Sequence, residues 1–201
     1  DRDQSCSTLE EFPEYARKHP QGGMPFAMPA ISGTDFDTLS RWLESGAKVR
    51  PEAPLAKPYV AAVAQWEAFF NGPSLKIQLS ARYMYEHLFL ADIYFDEIGT
   101  DEHFKLVRSS TPPGEPIQLI ASRRPYDDPG VARPWYRLQR NTDTPVSKTH
   151  MAYRLNPARM QRWTSLFLEP DYAVTTLPGY DIKQASNPFE TYLALPATSR
   201  Y

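Results

Sequence analysis

The longest uninterrupted hydrophobic pattern in the chain runs from Ser74 to Phe95, with no Gly or Pro from Leu75 onward. At 100° per residue, Leu79, Arg82, Tyr83, Glu86, Leu90 and Ile93 fall on one arc, and Met84, Leu88, Ala91 and Phe95 lie roughly opposite. Apolar groups on two faces predict a helix over 74–95 that runs through the middle of a domain. Asn71-Gly72-Pro73 breaks the preceding pattern and Ser74 supplies an N-cap. Two i,i+4 pairs interrupt the apolar arc, Arg82 with Glu86 and Tyr83 with His87. A charge among core positions needs a partner. The pair therefore reads either as a structural ion pair with a hydrogen-bonded aromatic edge or as a polar cluster facing a site.

Shorter patterns flank this stretch. Ser7-Thr8-Leu9-Glu10 reads as a capping box opening a helix that closes near Lys18. Ser32-Gly33-Thr34-Asp35 starts a second, with Phe36, Leu39 and Leu43 at i, i+3, i+7, Trp42 alongside and Gly46 as its cap. A third is expected from about Pro58 to Phe70, carrying Val60, Val63, Trp66, Glu67 and Phe70. The Asn-Gly-Pro turn folds it antiparallel to the long helix. After Gly99 the period changes from 3.6 to 2. Strands are expected at 103–108, 117–122, 135–140 and 147–153. Asn156-Pro157 and Asn187-Pro188 each pair an N-cap with a Pro at the first helical position, the latter opening a helix to about Leu195. The fold class is mainly α with short β-strands (α+β). The Pro-rich connector 47–57 divides a helical piece, 1–46, from a mixed region, 58–201, built on the helix 74–95.

Composition narrows the classes. A 201-residue chain that is 41% hydrophobic can bury a core. A net charge of −2, from 22 basic and 24 acidic residues with no basic run, leaves no footprint for nucleic acid. The long helix carries Arg82, Glu86, His87 and Asp92 and is no simple membrane span. A single cysteine, Cys6, excludes an internal disulfide. The first residue is Asp and no signal-peptide core follows, so the chain reads as an excerpt of a longer protein.

Chemistry-bearing motifs are few. His19, His87, His103 and His150 are far apart, with no HxH, HExxH or CxxCH, so nothing local argues for zinc. The sequence has no GxGxxG, GxxxxGK[ST] or GxSxG. Lys148-Thr149-His150-Met151 gathers a cation, hydroxyl, imidazole and thioether before a capped helix. Arg123, Arg124, Asp127 and Asp128 in the preceding loop are placed to converge on it. The loop 22–32, GGMPFAMPAIS, is more specific. Gly-Met-Pro followed by a Ser-capped helix with Leu-x-x-Trp resembles the C-terminal part of small c-type cytochromes, where a thioether on a Pro-fixed loop ligates haem iron. By that resemblance Met24 is the iron ligand and Met28 the reserve. Both also fit as flexible gap-fillers.

Taken together, HPQGGMPFAMPAIS, RWLESGA, WEAFFNGPSLKIQLSARYMYEHLFLADIYF, RSSTPPGEPIQLIASRRPYDDPG, KTHMAYRLNPARMQRW and ASNPFETYLALPATSRY resemble the bacterial fatty acid cis/trans isomerase family over essentially the whole chain. The resemblance implies a periplasmic haem c protein that converts cis double bonds of membrane phospholipid acyl chains to trans. The bilayer becomes less fluid under solvent or heat stress, without ATP or nicotinamide. It also implies ferric haem as an electrophile on the π bond. The family's CxxCH has no match here, so this chain alone is expected to be inactive, with the rest of the parent polypeptide as its partner. The candidate catalytic residues Arg82, Glu86, His87 and His150 come from the pattern alone. Tyr83, Tyr85, Phe89, Tyr94 and Phe95 are the aromatics available to line an acyl-chain channel. The competing function is a non-catalytic haem-associated electron-transfer or ligand-binding module.

Overall fold

The computed structural model describes residues 7–20, 31–49, 53–142 and 151–200. Met24, Met28 and His150 lie outside them. The chain forms two compact units, Asp1–Ala53 and Pro54–Tyr201. In the first unit, α1 (Phe12–Lys18) and α2 (Gly33–Glu44) bury none of their residues. The expected capping box is displaced by one residue. Thr8 and Glu11 make the reciprocal bonds, Thr8 N–H to Glu11 Oε2 at 3.1 Å and Glu11 N–H to Thr8 Oγ1 at 3.3 Å. Ser32 Oγ accepts from Asp35 N–H at the start of α2. At its end Ser45 is the cap and Gly46 follows in the left-handed region (φ 91°), with Ala47 N–H returning to Trp42 O at 2.9 Å.

The second unit is mainly helical around a four-stranded sheet, as expected for the class. Its elements are α3 (Lys57–Phe70), α4 (Leu75–Leu88), β1 (Asp92–Tyr94), β2 (Phe104–Ser109), β3 (Trp135–Arg140), β4 (Ala152–Arg154), α5 (Pro157–Trp163), α6 (Ile182–Ala185) and α7 (Pro188–Thr191). A single π-turn, Thr164–Leu168, extends α5. The last helix stops at Thr191 instead of Leu195, and a short 3₁₀ turn spans Ala197–Ser199. The strand order is β3-β2-β1-β4. β1 pairs antiparallel with β2 and parallel with β4, while β2 and β3 pair antiparallel with Leu106 opposite Leu138. Of the stretch 117–122, only Leu119 bridges, to Ser109.

The expected helix over 74–95 is two elements. It ends at Leu88, Ala91 N–H closes a turn onto Leu88 O at 2.9 Å, and residues 92–94 become the inner strand β1. Ile93-Tyr94-Phe95 is β-branched and aromatic, and tertiary pairing on both edges overrides the helical period. Ile93 sits opposite both Phe104 and Tyr153 and is completely buried. The helical part does bury two faces, through Ile77, Leu79, Ala81, Met84, Tyr85 and Leu88. Gly72 is required in the turn before it, because a Cβ there would lie 2.8 Å from Ile77 Cγ2.

The outer edge of β3 is closed by side chains of α3 and the residue that ends it. Glu67 Oε1 accepts from Leu138 N–H at 2.9 Å, and Oε2 pairs with Arg137 Nε at 2.9 Å. Asn71, one turn on, accepts from Tyr136 N–H at 2.9 Å and donates to Tyr136 O at 2.7 Å. The remaining Arg137 donors go to Pro112 O at 2.6 Å and Glu115 O at 3.0 Å. Glu67 and Arg137 are both buried. Leu138 N–H, Tyr136 N–H and Tyr136 O, which would otherwise help template another strand, thus have partners.

Glu67→Gln leaves Arg137 buried without its counter-charge and should cost about 3–5 kcal/mol in chemical denaturation. A loss below about 1 kcal/mol would show that the pair is dispensable. A second expectation concerns alkaline stability. Tyr59 Oη donates to Asp101 Oδ1 at 2.6 Å. Burial first, then this bond and the field of Asp101 and Glu102, push the phenol up to about 12 from 10.0. A folded value above the unfolded one means that the stabilisation is complete below pH 10.0 and is lost as pH rises through about 12. The stability gap between the wild type and Tyr59→Phe, measured by urea unfolding, should narrow across that window. A gap constant with pH would rule the linkage out.

Candidate functional site

The α4 helix is a partition. Gln78 and Arg82 face a cavity on one side, and Tyr83, Met84, His87 and Leu88 face a larger one on the other. The Ser74 cap, whose Oγ accepts from Ile77 N–H at 3.3 Å, sets the helix register.

The larger cavity holds about 480 Å³. Its walls come from α4, the β4 strand and the α5–π-turn segment: Met84, Leu88, Ala91, Met151, Tyr153, Trp163, Leu166 and Phe167 among them. The volume lies within the range of ligand pockets. An aromatic framework fixes the walls. Tyr83 packs 5.6 Å from Phe167 and 5.0 Å from Tyr192, and Trp163 stacks on Tyr153 at 6.2 Å and meets Trp66 edge-on at 5.5 Å. The carbonyls that the π-turn leaves free are capped from three directions: Leu166 O by the Ser199 hydroxyl, Phe167 O by Tyr172 Oη at 2.5 Å, and Leu168 O by Lys76 Nζ at 3.2 Å.

Three side chains give this apolar cavity polarity. Arg159 and Arg162, three apart on α5, line it, and neither has an acidic partner among the described residues. Arg159 lies over the Tyr153 ring at 5.0 Å. His87 is the third. Its Nδ1 is 2.7 Å from Tyr83 O. A carbonyl only accepts, so Nδ1 carries a proton, and in the neutral ring Nε2 holds the lone pair. The His87 ring lies 4.0 Å from the Tyr83 ring. This is an apolar slot with an imidazole acceptor and two unpaired cations.

On the other face of α4, Arg82 Nε donates to Glu86 Oε1 at 2.9 Å and Nη1 donates to Pro178 O at 2.8 Å and Gly179 O at 3.1 Å. Both side chains of the pair are over nine-tenths buried. The Arg82 guanidinium lies 3.9 Å from the Tyr180 ring. Burial lowers its pKa, but Tyr180, Glu86 and Tyr192 outweigh that and the net direction is up. Arg108, also fully buried, donates to Asp127 O at 2.8 Å and Ser122 Oγ at 2.5 Å and sits 5.2 Å from the Tyr85 ring. Burial, followed by Tyr180, holds the Tyr136 phenol well above its usual range, and burial with Glu86 does the same to Tyr192. These phenols stay neutral donors. Among the described residues, Arg82 Nη2 and Arg108 Nε have no hydrogen-bond partner, and Tyr192 Oη lies beside Glu86.

The family model for fatty acid cis/trans isomerase (CTI) matches residues 1–201. The chain belongs to the fatty acid cis/trans isomerase family. No curated protein and no solved structure matches it. Membership makes a fatty acid cis/trans isomerase type of function the activity to be explained. Of the residues singled out from the sequence of this family member, the structure puts His87 on the apolar slot and Arg82 on the opposite face, with Glu86 paired to Arg82. They do not form one cluster. Of the five aromatics expected in a channel, Tyr83 lines the slot. Tyr85 and Phe95 are buried in the core, and Phe89 and Tyr94 are half-buried away from the slot. Arg159 and Arg162 were not read from the sequence. Their signal was a pair of cations flanking Met160 and Trp163 on an Asn-Pro-capped helix, a pattern shared with any solvated helix face.

Phe167 is both wall and core, so Phe167→Ala should cost about 3–5 kcal/mol. His87 is exposed, so His87→Ala should cost under about 1 kcal/mol. Thermal or urea unfolding of the two variants compares them; equal losses would mean that His87 is a packing residue.

Proposed function

We propose that the cavity of about 480 Å³ takes a cis-unsaturated acyl chain of membrane phospholipid, at the periplasmic face of the membrane, and that the protein converts that chain to the trans isomer. The observation that carries this reading is the union, in one cavity, of aromatic and thioether walls with two arginines that have no acidic partner among the described residues. Each methylene transferred from water to such walls contributes about 0.8 kcal/mol. The arginines suit the phosphate at the other end of the molecule, since a guanidinium fork matches an oxyanion. Among the described residues no helix is long and apolar enough to cross a membrane.

Cis-to-trans conversion moves no atom and no electron out of the substrate. Rotation requires that the π component of the double bond be transiently lost and then re-formed, and while it is lost the protein must hold the chain on one side of that bond and let the other side turn. Met84 and Met151 are unbranched and adaptable walls that can follow a bent chain as it straightens. Tyr83, Trp163 and Phe167 are rigid and hold the other part. His87 Nε2 offers a lone pair at the wall. The haem c implied by the resemblance would be attached through a cysteine pair that this stretch of sequence does not contain, and Met24 and Met28, the thioethers expected toward its iron, lie outside the described residues.

Vesicles of cis-monounsaturated phospholipid incubated with the intact parent polypeptide should yield trans acyl chains by gas chromatography of the methyl esters. Leu166→Trp fills the slot and should lower the yield about tenfold, equivalent to about 1.4 kcal/mol, while the protein stays folded. Trans yield unchanged in a folded Leu166→Trp would remove the slot from the reaction.

A further inference from the structure

The cavity on the Arg82 side of α4 is separate from the acyl-chain slot and is built of different chemistry. It holds about 230 Å³ and has no acidic residue in its lining. Two guanidiniums face it, Arg82 and Arg133, together with the amides of Asn71 and Gln78. Each guanidinium is backed by an aromatic ring, Arg82 by Tyr180 at 3.9 Å and Arg133 by Trp135 at 4.5 Å. A guanidinium laid on a ring keeps its N–H edge for acceptors in its own plane. Two of the cations close to this side of α4, Arg108 and Arg133, form no ion pair among the described residues. The Glu86 carboxylate is already engaged by Arg82, and Asp127, near Arg108, by Arg124. The local balance is positive, and Arg82, only 5% exposed, retains a donor nitrogen, Nη2, with no acceptor. A buried cation with an unused donor is costly unless an acceptor completes it.

We infer that this cavity is an anion site that takes a phosphate group through Arg82 and Arg133, distinct from the slot on the other face of α4. The volume admits one compact tetrahedral oxyanion with little more than its first substituent. Arg133 Nη2 already donates to Asn71 O at 2.9 Å and Gly72 O at 3.1 Å, so the donors left for an anion are Nη2 of Arg82, Nε and Nη1 of Arg133, and the Gln78 amide, whose Nε2 now donates to Pro73 O at 2.9 Å. The same phosphate chemistry is found free in solution and in the headgroup of a phospholipid.

Titration calorimetry with inorganic phosphate, alongside sedimentation with vesicles of phosphatidylglycerol and of phosphatidylcholine, separates the sources. Gln78→Glu is isosteric and places a negative charge in the lining. Arg133→Gln removes a cation at a half-buried position. Each should weaken binding at least ~10-fold, the effect of one lost charge-assisted contact, with the unfolding midpoint measured in parallel to confirm folding. Saturable 1:1 binding of phosphate that both variants weaken supports a free-anion site. Binding to phosphatidylglycerol vesicles alone, again weakened by both, supports the same site reading a headgroup. No binding of either, or binding indifferent to both folded variants, overturns the proposal. Leu166→Trp should leave phosphate binding unchanged, so failure of the acyl-chain reading and failure of this one are distinguishable.

Discussion

The second unit depends on how an edge strand is closed. A strand at the rim of a sheet presents unpaired amides and carbonyls that invite another chain. Here a helical glutamate and the asparagine one turn later lie along β3, at Leu138 and Tyr136 respectively, so side chains from α3 do the work of a neighbouring strand. Arg137, between those two contacts, binds the same glutamate and gathers the carbonyls of the 112–115 turn. Helix, strand and loop are thereby fixed to one another at a buried point. Because α3 is set against β3 and joined to α4 by a four-residue turn, the position of α4 follows from the same contact. The cavities on its two faces inherit their placement.

The two faces differ in kind. On one, aromatic rings and thioethers enclose an apolar volume whose cations stand at α5. On the other, cations are buried and backed by rings, with phenols held neutral around them. A helix with a purely apolar stripe could have supported the first and not the second. The Arg82–Glu86 pair is compatible with burial because its donors are spent on a carboxylate and on the carbonyls of Pro178 and Gly179. It thereby also ties the segment before Tyr180 down onto the helix. Lys76 does the same one and a half turns earlier, donating to Leu168 O and Pro170 O.

What could be read from the sequence was what is local. The caps at Ser32, Ser74, Asn156 and Asn187 involve bonds two or three residues long, and each was legible from residue type and position. The i,i+4 pair Arg82–Glu86 was legible for the same reason. The end of the long helix was not. Residues 89–95 continue the apolar period, and only pairing with strands 104–109 and 152–154 converts them to a strand. The Glu67–Arg137 bridge spans 70 positions, with no spacing rule to reveal it. Arg159 and Arg162 escaped notice because a cation on a helix surface is ordinary until the neighbouring elements enclose it. His87 and Arg82 stand out among apolar positions of the helix, but helical spacing alone could not show that they would face different cavities.

The π-turn at Thr164–Leu168 carries a consequence for how this slot can vary. A π-turn holds one residue more than the helix around it needs, and the wall formed by Leu166 and Phe167 exists in its present orientation because of that surplus. Each residue of an α-helix turns its successors by about 100°. A chain with one residue fewer here would direct different side chains inward and would withdraw carbonyls from Ser199 and Tyr172. Substitution can change the width of the slot, but its outline is a property of chain length. A slot of different outline in this fold requires a gained or lost residue here, not an exchanged one.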